Sequence, residues 1–434
     1  MNRKKNIGWL VSLLAIIMPG LIWLSMMPWS DRFFSPTTIL TSLGQLAGLT
    51  GMAMFAVTLI LISRSKWLEK MFAGLNTMYN YHHVFGAISF VLLLLHPIFL
   101  ATKYWLFSSY AAALFLLPSK NWEINFGIFG LLIMIMAIVL TFFGKLIYEH
   151  WRFSHKFLGL AFFLGGLHAF LVPTDISRSI FLKVYMLILC FAALLIYIYR
   201  SLLQRWLVPK YEYQVVDITK FGPEIVEITL APETKNISFF PGQFVFAEFD
   251  QAKLSSEIHP FSISSDAGQE NIKLAIKYLG DYSEGLDKLK VGAMAKLEGP
   301  FGVFSYKYAK YKQQIWIGGG IGITPILSMA RSLSVDSDLK IVIFYCVKDE
   351  AEAVFLRELK KIEKNNPAIT VLTNYSLTQG HLTAEKLQEN QTAKLEETDV
   401  FICGPKDMMS GLKRQLTKSY VPEEQIHNEE FTMY

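Results

Sequence analysis

His82-His83-Val84-Phe85-Gly86, running on to His96, and His155-Lys156-Phe157-Leu158-Gly159, running on to His168, are the two stretches on which the fold of this chain turns. Both lie in apolar surroundings, and in each a histidine is followed four positions later by a glycine. A second histidine comes 14 residues on in the first stretch and 13 in the second. At ~1.5 Å rise per residue those gaps are roughly 20 Å of helix, most of the hydrocarbon thickness of a bilayer. Imidazoles in membrane segments are costly, and they usually carry function. Two helices with one histidine near each face supply four axial ligands, enough for two stacked haems.

A lone membrane histidine has duller uses, such as bonding a neighbouring helix or lining a proton path. Four of them, paired by depth, argue against that. At ~100° per residue, 14 steps return to within ~40° of the same face, whereas 13 steps miss by ~140°. The second helix is therefore expected to twist or bulge, with Gly165-Gly166 as the natural place. His82 rather than His83 is taken as the ligand, because His82…Gly86 matches His155…Gly159 in register. Two ligands per iron leave no vacant position, which suits electron transfer rather than oxygen binding at the metal. Phe162, midway between His155 and His168, either sits between the macrocycles or simply packs.

The surroundings fit a membrane protein with a soluble half. The chain has 434 residues, 52% hydrophobic, with 33 phenylalanines. That length implies two or three domains. The net charge of +5 gathers beside apolar segments, which marks membrane orientation and no nucleic-acid partner. Cys190, Cys346 and Cys403 are widely spaced, so neither a zinc site nor a disulfide framework is indicated. Apolar runs near 7–27, 39–63, 79–101, 125–147, 156–173 and 179–199 predict six spans, the first a retained helix rather than a cleaved signal. Arg3, Lys4, Lys5, Arg64, Lys66, Lys70, Lys145, Arg152, Lys156, Arg200, Arg205 and Lys210 fall on one side. Arg32, Lys103, Lys120 and Arg178 fall on the other. Both termini are therefore expected in the cytoplasm, with His82 and His155 near the inner face and His96 and His168 near the outer.

After Pro209 the pattern changes to short alternating runs, such as Phe244-Val245-Phe246-Ala247-Glu248-Phe249, which predict a small antiparallel barrel. His259-Pro260-Phe261-Ser262-Ile263-Ser264-Ser265 ends one strand, and its ring and hydroxyls suit a flavin. Gly280-Asp281-Tyr282-Ser283 opens a short helix whose free N–H groups attract phosphate. Glu298-Gly299-Pro300-Phe301-Gly302 is expected as a turn closing the barrel. From Gln314 strands and helices alternate, the signature of a parallel sheet. Its first strand runs into Gly318-Gly319-Gly320-Ile321-Gly322-Ile323-Thr324-Pro325, where glycines let backbone approach a pyrophosphate. Cys403-Gly404-Pro405 stands at another strand's carboxyl edge, where ligands of such sheets bind.

Taken together these stretches resemble the ferric reductase-like transmembrane and NADPH oxidase family over nearly the whole chain. The fold class expected is a membrane all-α six-helix haem domain (1–208), a soluble β-barrel FAD-binding domain (209–308) and an α/β parallel-sheet NAD(P)-binding domain (309–434). The resemblance implies two b-type haems on His82, His96, His155 and His168. It implies FAD on His259, Pro260, Phe261, Ser262, Gly280 and Ser283, with His259 near the phosphates. It places NADPH (or NADH) on Gly318, Gly319, Gly320, Gly322, Thr324, Pro325, Cys403, Gly404 and Pro405. Phe431, three residues from the end, is similar to the family's terminal aromatic that covers the flavin, and with Cys403 it stands nearest the chemistry. Leu100 departs from the polar residue of animal oxidases, and the basic cluster for a 2′-phosphate is not evident. No EF-hand is present, which implies activity without calcium. The expected function is electron transfer from cytosolic NAD(P)H across the plasma membrane to O2, giving superoxide, with no obligate protein partner. A ferric-chelate reductase is the alternative; a cytochrome relay subunit is a third, disfavoured by the attached dehydrogenase half.

Overall fold

The structure, a computed structural model, describes residues 7–144, 148–250, 257–390 and 394–430. Two compact units meet in sequence between Val208 and Pro209.

The first unit is helical. Its long helices are α1 (Ile7–Ser25), α2 (Pro36–Leu61), α3 (Leu75–Trp105), α4 (Trp122–Phe143), α5 (Tyr148–Leu171) and α6 (Ile180–Tyr197). Local chemistry fixes their starts. Ser35 and Thr38 form a reciprocal capping box with Pro36 in the first turn of α2, so early N–H groups that have no helical partner are satisfied. Ser179 caps α6 with a single bond, accepting from Leu182 N. Large apolar side chains such as Ile88, Val91, Phe142, Phe181 and Ile188 point outward and exposed, as a lipid-facing surface requires.

Five of these helices are long and apolar enough to cross a membrane: α1, α2, α3, α4 and the α6 stretch extended to Leu202. Helix α5 has 24 residues but is not among them, because Arg152, Lys156 and its histidines lower its mean hydropathy. Several helices overrun their apolar runs. Helix α5 begins eight residues before 156, since its charged first turns extend beyond the apolar stretch that hydropathy detects. The expected bulge is absent: α5 is continuous α-helix through Gly165-Gly166.

The second unit has two sheets. Strands β1 (Tyr211–Phe221), β2 (Ile225–Pro232), β3 (Phe244–Asp250), β4 (His259–Ser262), β5 (Ile272–Lys277) and β6 (Met294–Phe301) form an antiparallel sheet in the order β4-β3-β6-β1-β2-β5. A bridge between Ile263 and Leu274, with Ser264 N donating to Lys273 O at 2.8 Å, joins its two edges into a barrel. Alternate residues point inward, including Tyr213, Val215, Ile228, Leu230, Val245, Ala247, Leu274 and Leu297, the period-two pattern of a strand with one buried face. The segment expected as a closing turn, 298–302, is instead mostly the end of β6. Phe301 packs on both Phe244 and Phe246, and that aromatic contact draws the segment into the ladder.

Strands β7 (Gln313–Gly319), β8 (Lys340–Val347), β9 (Ile369–Tyr375), β10 (Asp399–Cys403) and β11 (Ile426–Glu429) form a parallel sheet ordered β11-β10-β7-β8-β9. Helix α7 (Ile323–Arg331) follows β7, α8 (Leu356–Asn365) precedes β9, and α9 (Lys406–Lys418) follows β10. The chain moves outward from β7 through β8 to β9, then returns to lay β10 on β7's other side. The carboxyl ends of β7 and β10 therefore flank the point where ligands of such sheets bind.

Candidate functional site

In the helical unit the four histidines meet in two pairs. The ring centroids of His82 and His155 are 6.3 Å apart, and those of His96 and His168 are 6.1 Å apart. Two imidazoles on opposite sides of one metal require roughly 6 Å, made of two metal–nitrogen bonds of about 2.0 Å each plus the two half-rings. His82 Nδ1 lies 3.0 Å from Thr58 O, His96 Nδ1 2.7 Å from Gly44 O and His168 Nδ1 2.8 Å from Glu123 O. A carbonyl at Nδ1 puts the ring proton there and leaves Nε2 bare for a metal. The His155 Nδ1 is buried without a partner. No group of three or more metal-binding side chains occurs among the described residues. Pairs therefore suit a macrocycle that brings its own four nitrogens, not a bare ion.

Glycines make room for the outer pair. A Cβ on Gly48 of α2 would lie 2.8 Å from the His96 ring, and one on Gly127 of α4 would lie 2.8 Å from the His168 ring. His168 leans on α4 while His155 packs beside Trp151, at 5.4 Å between rings. The two rings thus meet different neighbours along one continuous helix. Neither glycine was singled out in the sequence, though Gly44 and Gly48 on one helical face were the available signal. His83 is exposed, its ring 5.6 Å from that of His82. Phe162 is buried and meets Phe55 edge-on at 5.2 Å.

On the barrel, Phe261 and Ser262 end β4. Ser262 is buried, and its hydroxyl has no partner; the Ser265 hydroxyl is in the same state. Buried hydroxyls without partners are costly unless a ligand completes them, so this strand end fits a flavin's polar edge. Pro260 pairs with Phe246 across the ladder. His259 is differently occupied: its Nε2 lies 2.6 Å from Glu257 Oε2, and its ring stacks on Tyr282 at 4.1 Å. Ser283 turns its hydroxyl back on its own loop, accepting from Leu279 N at 2.8 Å and Gly280 N at 3.1 Å. It serves that turn first, with Gly280 just before the short helix Asp281–Gly285.

The glycine-rich turn after β7 and the Cys403-Gly404-Pro405 turn after β10 interlock. A Cβ on Gly322 would lie 2.4 Å from Cys403 O, one on Gly319 2.9 Å from Pro405 and one on Gly404 2.9 Å from Gly319 Cα. A Cβ on Gly318 would press on Ile323 at 2.6 Å. Gly320 differs: its φ is +54° and nothing lies within 4 Å of a Cβ there. Its backbone alone faces open space, as an approaching pyrophosphate requires. Thr324 is buried and donates to Ile321 O at 3.0 Å, and Pro325 is buried beside it. Cys403 is fully buried, and burial, with the Glu429 charge second, holds its thiol well above the usual range. It sits beneath the two loops as a neutral thiol. Glu429, its ladder partner on β11, was missed from sequence because a four-residue edge strand gives no periodic signal. Phe431 lies outside the described residues.

Residues 47–166 match the family described as ferric reductase like transmembrane component, 210–323 an FAD-binding domain and 316–414 an oxidoreductase NAD-binding domain. The relatives match only part of the chain. Flavohemoprotein A of Dictyostelium discoideum is 28% identical over 45% of this chain and 53% of its own length. The ferredoxin reductase component of 3-ketosteroid-9-alpha-monooxygenase from Rhodococcus rhodochrous is 27% identical over 45% of this chain and 56% of its own. The chain thus spans about half the length of the curated relatives it matches. Among solved structures, the FAD/NAD-binding domain of nitric oxide dioxygenase from Vibrio cholerae aligns with 51% of this chain and 98% of its own, at 20% identity and a TM-score of 0.45. The three matched domains make the chain an oxidoreductase that binds FAD and a nicotinamide nucleotide and carries a membrane domain.

Proposed function

We propose that this chain, whose domain order is that of the ferric reductase and NADPH oxidase-like proteins, moves electrons from cytosolic NAD(P)H across the plasma membrane to O2, giving superoxide. The observation that carries the proposal is the equal spacing of the two histidine pairs, 6.3 and 6.1 Å. His82 with His155 would hold one b-type haem on the cytoplasmic side, and His96 with His168 a second on the outer side. When bound, FAD accepts two electrons together and releases them singly to haems that carry one each.

The chain's own residues do the rest. Thr58, Gly44 and Glu123 orient three imidazoles through their carbonyls. Phe261 and Ser262 would receive the flavin ring, with His259, Pro260, Gly280 and Ser283 around it. Gly318, Gly319, Gly320 and Gly322 would admit the pyrophosphate, and Thr324, Pro325, Cys403, Gly404 and Pro405 would line the nicotinamide's place, with Phe431 as its cover. The working divisions are 1–208 for the haems, 209–308 for FAD and 309–434 for the nucleotide. Basic residues flanking α2, α5 and α6 support a cytoplasmic position for both termini, and turnover would need no obligate protein partner.

Oxygen is favoured over an anionic ferric chelate by charge at the outer end. Arg32 and Arg178 share the one carboxylate of Asp175, 3.8 Å from each, and Asp31 and Glu123 stand at the same end, so little net positive charge is left there to draw an anion. Purified protein given NADPH and cytochrome c decides the acceptor. Reduction suppressed by superoxide dismutase supports superoxide; dismutase-insensitive turnover with fast ferric-chelate reduction replaces it with the reductase reading.

A further inference from the structure

Helix α7 starts in the nucleotide turn, and its far end is sewn to the strand end that follows Ser262. Ser328 Oγ donates to Ser265 O at 2.7 Å, Arg331 Nη1 donates to Ser264 O at 2.7 Å, and Ser332 Oγ accepts from Ala267 N at 2.9 Å. Arg331 also binds two carboxylates. Its Nη1 is 2.9 Å from Glu227 Oε1 on β2, and its Nε and Nη2 fork onto Glu358 of α8 at 2.7 and 2.8 Å. Ser264 Oγ donates to the same Glu227 oxygen at 2.9 Å, and Lys273 stands 3.5 Å from the other. The side chains of Arg331 and Glu227 are only 12% and 5% exposed. A guanidinium that far from water is stable only when fully paired, and its rigid planar fork fixes the orientation of every group it holds.

The spacing gives this cluster reach. Thr324, Ser328 and Arg331 recur at intervals of four and three, one face of a helix. Thr324 belongs to the nucleotide turn, while Ser264 and Ser265 follow Ser262, whose buried hydroxyl lacks a partner. One face of α7 therefore works as a strut between the two places where the reactants would lie.

We propose that Arg331, assisted by Ser328, is a positioning residue that locks the nucleotide turn onto the flavin-holding strand end and so sets how the nicotinamide meets the flavin. The inference rests on the reading that NAD(P)H reduces FAD in this chain. In that step a C–H bond of the dihydronicotinamide breaks as an N–H bond of the flavin forms; two electrons and one proton move together, oxidising the nucleotide and reducing the flavin. Neither side chain touches the reacting atoms, but displacement by about 1 Å costs such a transfer roughly 100-fold.

The test uses the full chain in detergent, loaded with FAD, as wild type, Arg331→Lys and Ser328→Ala. Lysine keeps the charge and loses the fork; alanine removes one hydrogen bond and strands no charge. Anaerobic rapid mixing with NADPH and with NADH gives the limiting rate of flavin bleaching and the nucleotide dissociation constant. Amide hydrogen exchange over 259–268, without nucleotide, gives a readout independent of turnover. The expected result is a limiting rate lowered roughly 10–100-fold in both variants, nucleotide affinity within about twofold of wild type, and faster exchange over 264–268. Limiting rates and exchange equal to wild type overturn the inference, as does a loss confined to nucleotide affinity. Wild-type flavin that neither nucleotide bleaches overturns the underlying reading instead.

Discussion

His82 and His83 are adjacent imidazoles with opposite surroundings. His82 faces His155 and holds Thr58 O, whereas His83 is exposed. His83→Ala should therefore keep the full haem content, and His82→Ala should lose the inner haem; pyridine haemochrome assay of both variants checks the pair. Cys403 offers a second test at this scale. Its thiol is raised well above the usual range, so it stays protonated through mildly alkaline pH, and only the thiolate is alkylated. Iodoacetamide labelling near pH 8 should be about tenfold or more slower at Cys403 in native protein than in urea. Equal rates would mean that the strand end opens freely.

At the scale of elements, the close approaches of helices carry the predictions. Gly127 is no ligand, yet a Cβ there would sit 2.8 Å from the His168 ring. Gly127→Ala should push that ring aside and deplete the outer haem while leaving the inner one; haem stoichiometry and redox titration report it. Gly320 has φ +54°, a conformation that β-branched residues rarely adopt. Gly320→Val should strain the turn and stop flavin reduction by NADPH, with any bound haem still reducible by dithionite. The sequence showed these elements unevenly. Apolar length revealed α1 to α4 and α6 directly. The pairing of His96 with His168 followed from topology, but the continuity of α5 through Gly165-Gly166 was not visible, because wheel geometry counts angle along one helix and omits the neighbour on which each ring leans. The 298–302 segment was misread for a related reason: glycine and proline mark turns locally, while Phe244 and Phe246, far off in sequence, hold it in the ladder.

For the whole molecule, the order of functions along the chain was legible and the joints were not. Histidine spacing, the HPFSISS segment and the glycine-rich turn each carry their chemistry in local residue types. The seam of Arg331, Glu227 and Glu358 draws on three separated elements, and nothing in its local pattern separates it from ordinary surface charge. Two histidine pairs would make two separate stations in the membrane. This is tested most directly by haem per polypeptide in wild type and His168→Ala, measured beside NADPH reduction of the flavin. Wild type should hold two haems and the variant one, with flavin reduction unchanged and delivery to an outside acceptor abolished. Two haems retained in His168→Ala, or a single haem in wild type, would contradict it.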